Sequence, residues 1–334
     1  MNWFEDLTGF AETNYADTQA QLLIEEQSLV CTPADSDIPR RYQAGQLLMP
    51  TLAELRQQTA SLNIAPKPNR VREWVGDVQQ LHLDPANQNA VFQVASQFNL
   101  LEMVSPFVTP LEGVTGYAFD KTQGPACAIA CAAGTIYRNY LVEIKAQHGQ
   151  TETRQLNMLD ELEQVINNPI HQYWQMQNGY LMPTQQGLEE LKALLNQASP
   201  AVVDVFKSKI KVGVQQDTQV TLNQAKHHVT QVYCSALPIA YHPFMADDWT
   251  PFAQLVLDAA YEATFHVALH NAQRTGNSTL YLSLLGGGAF GNPTDWILDA
   301  IDKSLVRFEN RGLDILFVSY GSANPTLTPW LNPV

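Results

Sequence analysis

Short apolar runs of β-type composition alternate with stretches of helical spacing from Arg70 to the end of the chain. An order of strand, helix, strand, helix, strand implies a largely parallel sheet that helices cover on both faces. We therefore predict an α/β fold. The expected strands are residues 71–79 (weakly alternating), 90–95, 137–144, 229–237, 279–285 and 313–319, and the expected helices are 124–133, a long one capped by Thr250-Pro251, and 294–305.

Two segments depart from this alternation. Residues 1–66 have the pattern of helices joined by acidic loops, with helical spacing over 17–27 and 50–60, and they end at a Pro-rich linker. Residues at about 145–225 are Gln-rich and polar, with leucines spaced as on helices. We predict an N-terminal helical extension over residues 1–66, and a domain over 67–334 that is interrupted by an inserted helical cap at about 145–225.

The composition is that of an ordinary globular protein, with 45% hydrophobic and 16% charged residues in a chain of 334. No apolar run reaches the ~18 residues of a membrane-spanning helix, so we expect no membrane partner. The start of the chain lacks the basic and apolar regions of a secretory signal. The four cysteines include no Cys-x-x-Cys pair. These features favour a reducing, cytoplasmic location, or a host cytosol if the chain is a delivered bacterial effector.

The balance of charge argues against nucleic acid as a partner. Acidic residues outnumber basic ones by 33 to 19, which gives a formal net charge of −14. A domain that grips a phosphate backbone should have a basic face, and the sequence indicates none. A single small anion remains compatible with this charge, because backbone N–H groups can hold it without cationic side chains.

The segment Gly286-Gly287-Gly288-Ala289-Phe290-Gly291, which we call the glycine loop, lies between a predicted strand and a predicted helix. Asn292 can cap that helix, and Pro293 suits its first position. Glycines let the backbone approach a phosphate closely, and a helix N-terminus adds unpaired N–H groups. A tight turn without a ligand is the alternative, although three adjacent glycines exceed what a turn needs. The pattern predicts an anion-binding loop.

Three kinds of phosphate loop compete for this segment. A Walker loop needs Gly-Lys-Ser/Thr, which is absent here. Gly286, Gly288 and Gly291 match the dinucleotide motif, but that motif belongs to an early βαβ unit with an acidic residue about 20 positions further on, after the next strand. Only one predicted strand follows, and it ends in Ser319-Tyr320. A third kind of diphosphate loop fits better.

The order of these features resembles a macrodomain. Gly76-Asp77 follows the first strand, a buried strand leads to the Asn-bearing segment Ser96–Asn99, and the glycine loop follows the penultimate strand. The double Asn and glycine-rich first loop of ordinary macrodomains are absent, as is the Gly-Gly-Gly…Gln-Glu-Glu signature of poly(ADP-ribose) glycohydrolases. The chain is more similar to a divergent branch, the MavL-like ADP-ribosylhydrolases, in the segments Gln97–Glu102, Thr122–Ala128 and Tyr137–Tyr140.

The resemblance implies a three-layer α/β/α sandwich that binds ADP-ribose at the carboxyl ends of its strands. Asp77 would accept from the adenine amino group, and Trp74 would either stack on adenine or belong to the core. Gln97 and Asn99 would contact a ribose, and Thr122, Gln123 and Gly124 would form one phosphate loop. The implied contacts to the diphosphate and distal ribose come from Gly286, Gly287, Gly288, Ala289, Phe290, Gly291 and Asn292.

Cleavage at the distal ribose usually needs a carboxylate. Glu102, Glu112 and Asp120 lie in or beside the loop that should face that sugar, although each is compatible with a solvated loop and Glu102 with a helix cap. The resemblance implies hydrolysis of the N-glycosidic bond that joins ADP-ribose to a protein side chain, with arginine preferred and no cofactor required. The alternatives are a non-catalytic module that binds ADP-ribose or ADP-ribosylated protein and, more distantly, a hydrolase of free nucleotide-sugars.

Other constellations indicate less. His266 and His270 are spaced i, i+4 as zinc ligands are, but the segment lacks the intervening Glu and no third ligand is evident, so we expect no metal. Cys127 and Cys131 share a face of small residues that is typical of packing. Cys127 lies near a predicted helix start, which leaves a nucleophilic role open.

Overall fold

The computed structural model describes residues 2–34 and 38–332. Its strands are β1 Leu22–Glu25, β2 Ser28–Cys31, β3 Arg40–Gln43, β4 Gln46–Leu48, β5 Arg70–Val75, β6 Val91–Ala95, β7 Glu143–Ile144, β8 Gln147–His148, β9 Trp174–Gln177, β10 Tyr180–Pro183, β11 Gly213–Gln219, β12 His228–Cys234, β13 Thr279–Leu282 and β14 Asp314–Ser319. Its α-helices are α1 Trp3–Thr8, α2 Tyr15–Gln19, α3 Leu52–Ala60, α4 Val78–Leu83, α5 Gln123–Ala130, α6 Ala132–Ile136, α7 Asp160–Val165, α8 Asn168–His171, α9 Gln185–Gln197, α10 Pro200–Ser208, α11 Ala246–Thr275 and α12 Thr294–Arg307.

A seven-stranded sheet in the order β4-β11-β12-β6-β13-β14-β5 forms the centre of the fold. The five strands from β12 to β5 run parallel to one another, whereas β11 is antiparallel to both β12 and β4. The inner strands β6 and β12 are buried along almost their whole length, and most of their residues are apolar. The carboxyl ends of the parallel strands therefore share one edge, where an open α/β sheet places a ligand.

Helices cover both faces of this sheet. On one face, the Gln231 side chain of β12 donates a hydrogen bond to the Cys127 carbonyl of α5. On the other face, Cys234 of the same strand contacts Thr264 of α11, and α3 and α12 pack on that helix. The predicted macrodomain-like, three-layer α/β/α sandwich with a mostly parallel central sheet is confirmed in its layers and strand directions. Among the described residues, no helix combines the length and the apolar composition that a membrane crossing requires.

The helical prediction for residues 17–27 is wrong beyond α2. Strands β1, β2 and β3 form a small antiparallel sheet there. Glu26 and Gln27 make the turn of its first hairpin with φ of 48° and 69°, the positive values that a two-residue hairpin turn needs. Neither residue is a turn-former such as Asn or Gly, so the sequence contains no local signal for this hairpin.

The strand predicted at 137–144 is also wrong over most of its length. Residues Tyr137–Leu141 form a π-helical turn that continues from α6, and only β7 is extended. Arg138 explains the difference, because its buried guanidinium donates to the carbonyl of Leu100 and lies 3.7 Å from the ring centroid of Tyr233. These tertiary contacts override the β propensity of the two tyrosines.

Two predicted helix starts also differ. The long helix α11 begins at Ala246 and not at Thr250, and Pro251 lies inside it. The cap of α12 is Pro293, and no side chain caps it, so the capping role predicted for Asn292 is wrong.

The central sheet takes strands from both of the segments that the sequence sets apart. Strand β4 comes from residues 1–66 and forms the edge of the sheet. Strand β11 comes from the segment at about 145–225 and lies next to β12. The helices α7 to α10 and the β9–β10 hairpin remain outside the sheet, and α9 and α10 pack against α11.

Candidate active site

A cavity of about 160 Å³ opens at the carboxyl ends of β6, β12 and β13. We call it the cleft. Its lining combines chain segments that directly follow those strands with the start of α5 and the β9–β10 hairpin. The lining residues are Ala95, Ser96, Gln97, Glu102, Met103, Val104, Asp120, Thr122, Gln123, Gly124, Tyr180, Ala236, Tyr241, Ser283, Leu284, Leu285, Gly286, Gly288, Ala289 and Phe290.

The glycine loop forms one wall of the cleft and is closed on itself. The Asn292 side chain donates to the carbonyl of Leu237 at 2.8 Å, and the backbone N–H of Asn292 donates to that of Gly286 at 2.9 Å. Gly286 and Gly291 adopt φ of 79° and 69°, a region that favours glycine. Within the part of the chain that the structure describes, the N–H groups of residues 288–290 donate no hydrogen bond. Asn292 thus shapes a loop that presents free donors.

The N-terminus of α5 forms the facing wall. The Gln123 side chain accepts from the N–H of Ala95 at 3.0 Å and donates to the carbonyl of Gln93 at 2.9 Å, which ties the helix start to the end of β6. The N–H of Thr122 donates to Asp120 at 2.8 Å. Those of Gln123 and Gly124 donate to no described residue, as first-turn N–H groups commonly do. Free donors therefore face the cleft from two sides.

Glu102 lies between these walls and is 5% exposed. Its backbone N–H donates to the Tyr117 hydroxyl at 2.9 Å, while its Oε1 is buried without a hydrogen-bond partner among the described residues. Burial raises the pKa of the Glu102 carboxyl well above its ordinary value; the charge of Asp120 adds to this shift and that of Arg138 opposes it. A raised pKa favours the protonated carboxyl, the form that a general acid needs.

The other two candidate acids differ in position. Asp120 lines the cleft, is partly exposed and accepts the N–H of Thr122. Glu112 is exposed and outside the cleft, where its carboxylate accepts the backbone N–H of Thr109 and caps a short 3-10 helix. The structure therefore groups Glu102 with Asp120 and separates Glu112 from both.

The residues that the resemblance assigns to ribose also separate. Gln97 lines the cleft and its Oε1 accepts the N–H of Met103 at 2.8 Å. Asn99 is fully buried and outside the lining, where its side chain donates to Gln155 and accepts the N–H of Leu101. Asn99 thus shapes the loop after β6, whereas Gln97 faces the cleft.

The residues expected at adenine lie beyond the cavity. Asp77 follows β5 at the edge of the sheet and caps α4 by accepting the N–H of Gln79 at 2.9 Å. The Trp74 ring is folded against Gly76, so close that a Cβ there would collide with it. In the glycine loop, Gly287 and Gly291 are not among the lining residues, and Gly291 packs against Ala240.

An aromatic group in the cleft was missed by the sequence reasoning. Tyr180, Tyr241 and Phe290 lie together, with ring centroids 5.2 Å apart for the two tyrosines and 5.5 and 5.7 Å from each to Phe290. The Tyr180 hydroxyl donates to the carbonyl of Met103 at 2.6 Å. No spacing in the sequence links three residues from three separate segments, so only the fold brings them together.

The loop of residues 103–119, which we call the rim loop, joins Glu102 to Asp120. The carboxylate of Glu12 accepts the N–H groups of Val114 and Thr115 at 2.8 and 2.7 Å. From the β9–β10 hairpin, Asn178 donates to the carbonyl of Pro106 at 2.8 Å. The N-terminal segment and the inserted segment therefore both hold the rim loop in place.

The histidine and cysteine pairs have other environments. His266 and His270 both lie within hydrogen-bond distance of the Thr59 hydroxyl, at 2.8 and 3.0 Å. Among the described residues, no group of three or more His, Cys, Asp or Glu is arranged to hold a metal. Burial raises the pKa of the Cys127 thiol well above its ordinary value, and Cys131 adds to this shift, which is the reverse of what an activated thiolate needs.

No protein-family model and no curated protein matches the sequence. Among solved structures, a poly(ADP-ribose) glycohydrolase from Thermomonospora curvata has a TM-score of 0.45 at 12% identity and covers 91% of this chain and 89% of that chain. The poly(ADP-ribose) glycohydrolase from Deinococcus radiodurans, solved in complex with ADP-ribose, has a TM-score of 0.42 at 10% identity and covers 84% of this chain and 89% of that chain. At such identities the similarity concerns the course of the chain and assigns no role to any residue.

Proposed function

We propose that this chain is a hydrolase that binds ADP-ribose in the cleft and releases it from a modified protein side chain. The observation that carries the proposal is the position of Glu102. A buried carboxyl group whose pKa burial raises lies between two walls that contain free backbone N–H groups. One cleft thus offers both anion recognition and a proton donor.

Backbone donors favour a diphosphate as the bound anion. The N–H groups of residues 288–290 and of 123–124 can each receive phosphate oxygens, and the start of α5 adds the positive end of its dipole. The described lining contains no Lys or Arg, so recognition of the anion would depend on the backbone. This suits a chain with a net charge of −14.

The order of the strands gives the ligand a direction. Asp77 follows β5, the edge strand. Glu102 lies near the end of β6, which is three strands in from β5. Adenine would lie toward Asp77, the diphosphate between the glycine loop and α5, and the distal ribose near Glu102. Phe290 and its neighbouring tyrosines would pack on that sugar, and Gln97 would bond a ribose hydroxyl.

Hydrolysis would then proceed at C1 of the distal ribose. As the bond to the protein side chain breaks, positive charge develops on the sugar ring. Glu102 would donate its proton to the departing nitrogen, and Asp120 would accept a proton from the attacking water. That proton would then return to Glu102 through solvent, which restores both groups. Water thus supplies its hydroxyl to C1 and its hydrogen to the released side chain. No metal or cofactor enters this reaction.

Arginine is the acceptor that the charge of the cleft favours. The described lining contains the acidic side chains of Asp120 and Glu102 and no Lys, Arg or His, so Asp120 supplies its negative charge while Glu102 acts as the proton donor. A guanidinium group would be attracted to such a site and would meet no like charge among the described lining residues. The preference for arginine-linked ADP-ribose agrees with the resemblance noted from the sequence.

The test is incubation of the protein with arginine-, serine- and glutamate-linked ADP-ribosyl proteins, with released ADP-ribose measured by chromatography. We expect release from the arginine-linked substrate. Glu102→Gln keeps the shape of the protonated group and should lower turnover by about 100-fold or more while ADP-ribose still binds. Glu112→Gln, the matched change outside the cleft, should leave turnover intact. Binding of ADP-ribose by the wild type without any release would indicate a non-catalytic binding module.

A further inference from the structure

The rim loop, which joins the cleft residues Glu102 and Asp120, exposes large apolar side chains. Phe107 is 77% exposed, Phe119 85% and Val104 62%. We call these three residues the rim patch. The chain has 13 phenylalanines, all of them described, and the other 11 (13 − 2) are buried or half-buried. Both strongly exposed phenylalanines therefore lie in the one loop that joins Glu102 to Asp120.

This exposure does not come from a loosely held loop. Glu12 accepts two backbone N–H groups of the loop, and Asn178 donates to a third position. Inside the loop, the Tyr117 ring is buried and its hydroxyl accepts the N–H of Glu102. A surface that is fixed before binding loses little conformational entropy when a partner covers it, so the rim patch has the properties of a preformed contact surface.

The rim patch adjoins the cleft through Val104 and through Phe119, the chain neighbour of Asp120. Val104 both lines the cleft and reaches solvent. Phe119 directly precedes Asp120, and Phe107 lies in a turn closed by the bond from the N–H of Val108 to the carbonyl of Ser105. A ligand with its distal ribose near Glu102 would bring whatever is attached to C1 to the rim loop that carries these side chains.

We infer that the rim patch binds the polypeptide that carries the ADP-ribosyl group, through an apolar side chain of that polypeptide beside the modified residue. The inference rests on the proposed function, because the direction of the ligand places C1 at the rim. Free ADP-ribose ends at C1 and would leave the patch uncovered. The patch therefore distinguishes a polypeptide substrate from the same group on a small molecule.

The test compares two substrates, an ADP-ribosylated arginine-containing polypeptide and ADP-ribosylated free arginine. We expect Phe107→Ala and Phe119→Ala each to lower kcat/KM for the polypeptide by about tenfold, the size expected for burying one large apolar side chain. Turnover of free ADP-ribosyl-arginine should not change. Val306→Ala, at a residue 68% exposed on α12, is the matched control and should affect neither substrate.

Equal losses on both substrates, or no loss on the polypeptide, would overturn the inference. So would a wild-type dimer in sedimentation that Phe107→Ala converts to monomer, since the patch would then join two copies of this chain. If the wild type cleaves neither substrate, the affinities of the variants for the two substrates are compared instead of their turnover. If the variants then lose binding only to the ADP-ribosylated polypeptide and still bind free ADP-ribose, the rim patch is supported and the proposed hydrolysis is not. Absence of binding to either ligand overturns both proposals.

Discussion

Gly124 lies so close to Glu102 that a Cβ at position 124 would collide with the Glu102 carboxyl group. The same Cβ would meet the carbonyl oxygen of Ala95 at the end of β6. The backbone at this point is ordinary helix, so the need for glycine comes from close approach and not from φ. The start of α5 and the acid of the cleft are therefore packed against each other.

We predict that Gly124→Ala lowers turnover strongly and stability modestly. Overpacking of this kind typically costs about 1–3 kcal/mol, and it would move either Glu102 or the free N–H groups of α5. Gly116→Ala is the matched control. Gly116 lies in the rim loop, and a Cβ there meets nothing within 4 Å. Urea unfolding and release of ADP-ribose measure the two effects. Full activity in Gly124→Ala would show that the position of Glu102 does not matter.

Gly288→Ala should separate ligand binding from folding. A Cβ at Gly288 meets no atom within 4 Å, and φ is not in the left-handed region, so the protein alone has room for it. The stability should change by no more than about 0.5 kcal/mol. The same Cβ would point into space that a diphosphate needs, so we expect ADP-ribose to bind at least about tenfold more weakly. Calorimetry measures both quantities, and unchanged affinity would move the phosphate away from the glycine loop.

The raised pKa of Glu102 should make stability depend on pH. Below its ordinary pKa of 4.5 the group is protonated in both the folded and the unfolded chain and contributes no pH dependence. Above that pH the unfolded chain releases the proton while the folded chain keeps it, so the free energy of unfolding falls as pH rises, by up to about 1.4 kcal/mol per unit. The fall stops only above the raised folded pKa.

Glu102→Gln removes this titration and isolates its effect. The difference in free energy of unfolding, variant minus wild type, should be smallest at pH 4 and should grow toward pH 8. Urea titrations at several pH values measure it. A difference that does not vary with pH would mean that Glu102 ionises in the folded protein as it does in the unfolded chain, which would contradict its role as a proton donor.

The parallel strands and the glycine loop could be predicted because their signals are local. Apolar runs such as residues 91–95 are bounded by turns, and Gly286 to Gly291 stand between a strand and a helix. Glu102 and Asp120 were also found locally, as acids beside the predicted ribose loop. The sequence could not rank them against Glu112, because the fold decides which acids line the cleft, and distant residues such as Tyr180 complete that lining.

The contribution of the N-terminal segment could not be predicted for the same reason. Glu12 contacts residues about a hundred positions further on, and nothing near it in the sequence indicates a hydrogen-bond acceptor for a distant loop. The helical spacing of residues 17–27 pointed to a simple extension, whereas the hairpin made by β1 and β2 turns at Glu26 and Gln27 without a recognisable turn residue. The N-terminal segment therefore supports the rim loop, whereas the pattern predicted a separate helical extension.

Glu12→Ala should therefore affect the cleft from a distance. The carboxylate accepts the N–H groups of Val114 and Thr115 and the hydroxyl of Tyr140, the last at 2.7 Å. Removing it leaves buried donors unsatisfied, at a cost of roughly 1–3 kcal/mol. The freed loop carries Tyr117, whose hydroxyl holds the backbone of Glu102. We expect faster amide exchange at residues 114 and 115 and a lower kcat, while Glu5→Ala, at an exposed acid of α1, should change neither. A stable variant with slow exchange but no turnover would place Glu12 in the chemistry instead of in the support of the rim loop.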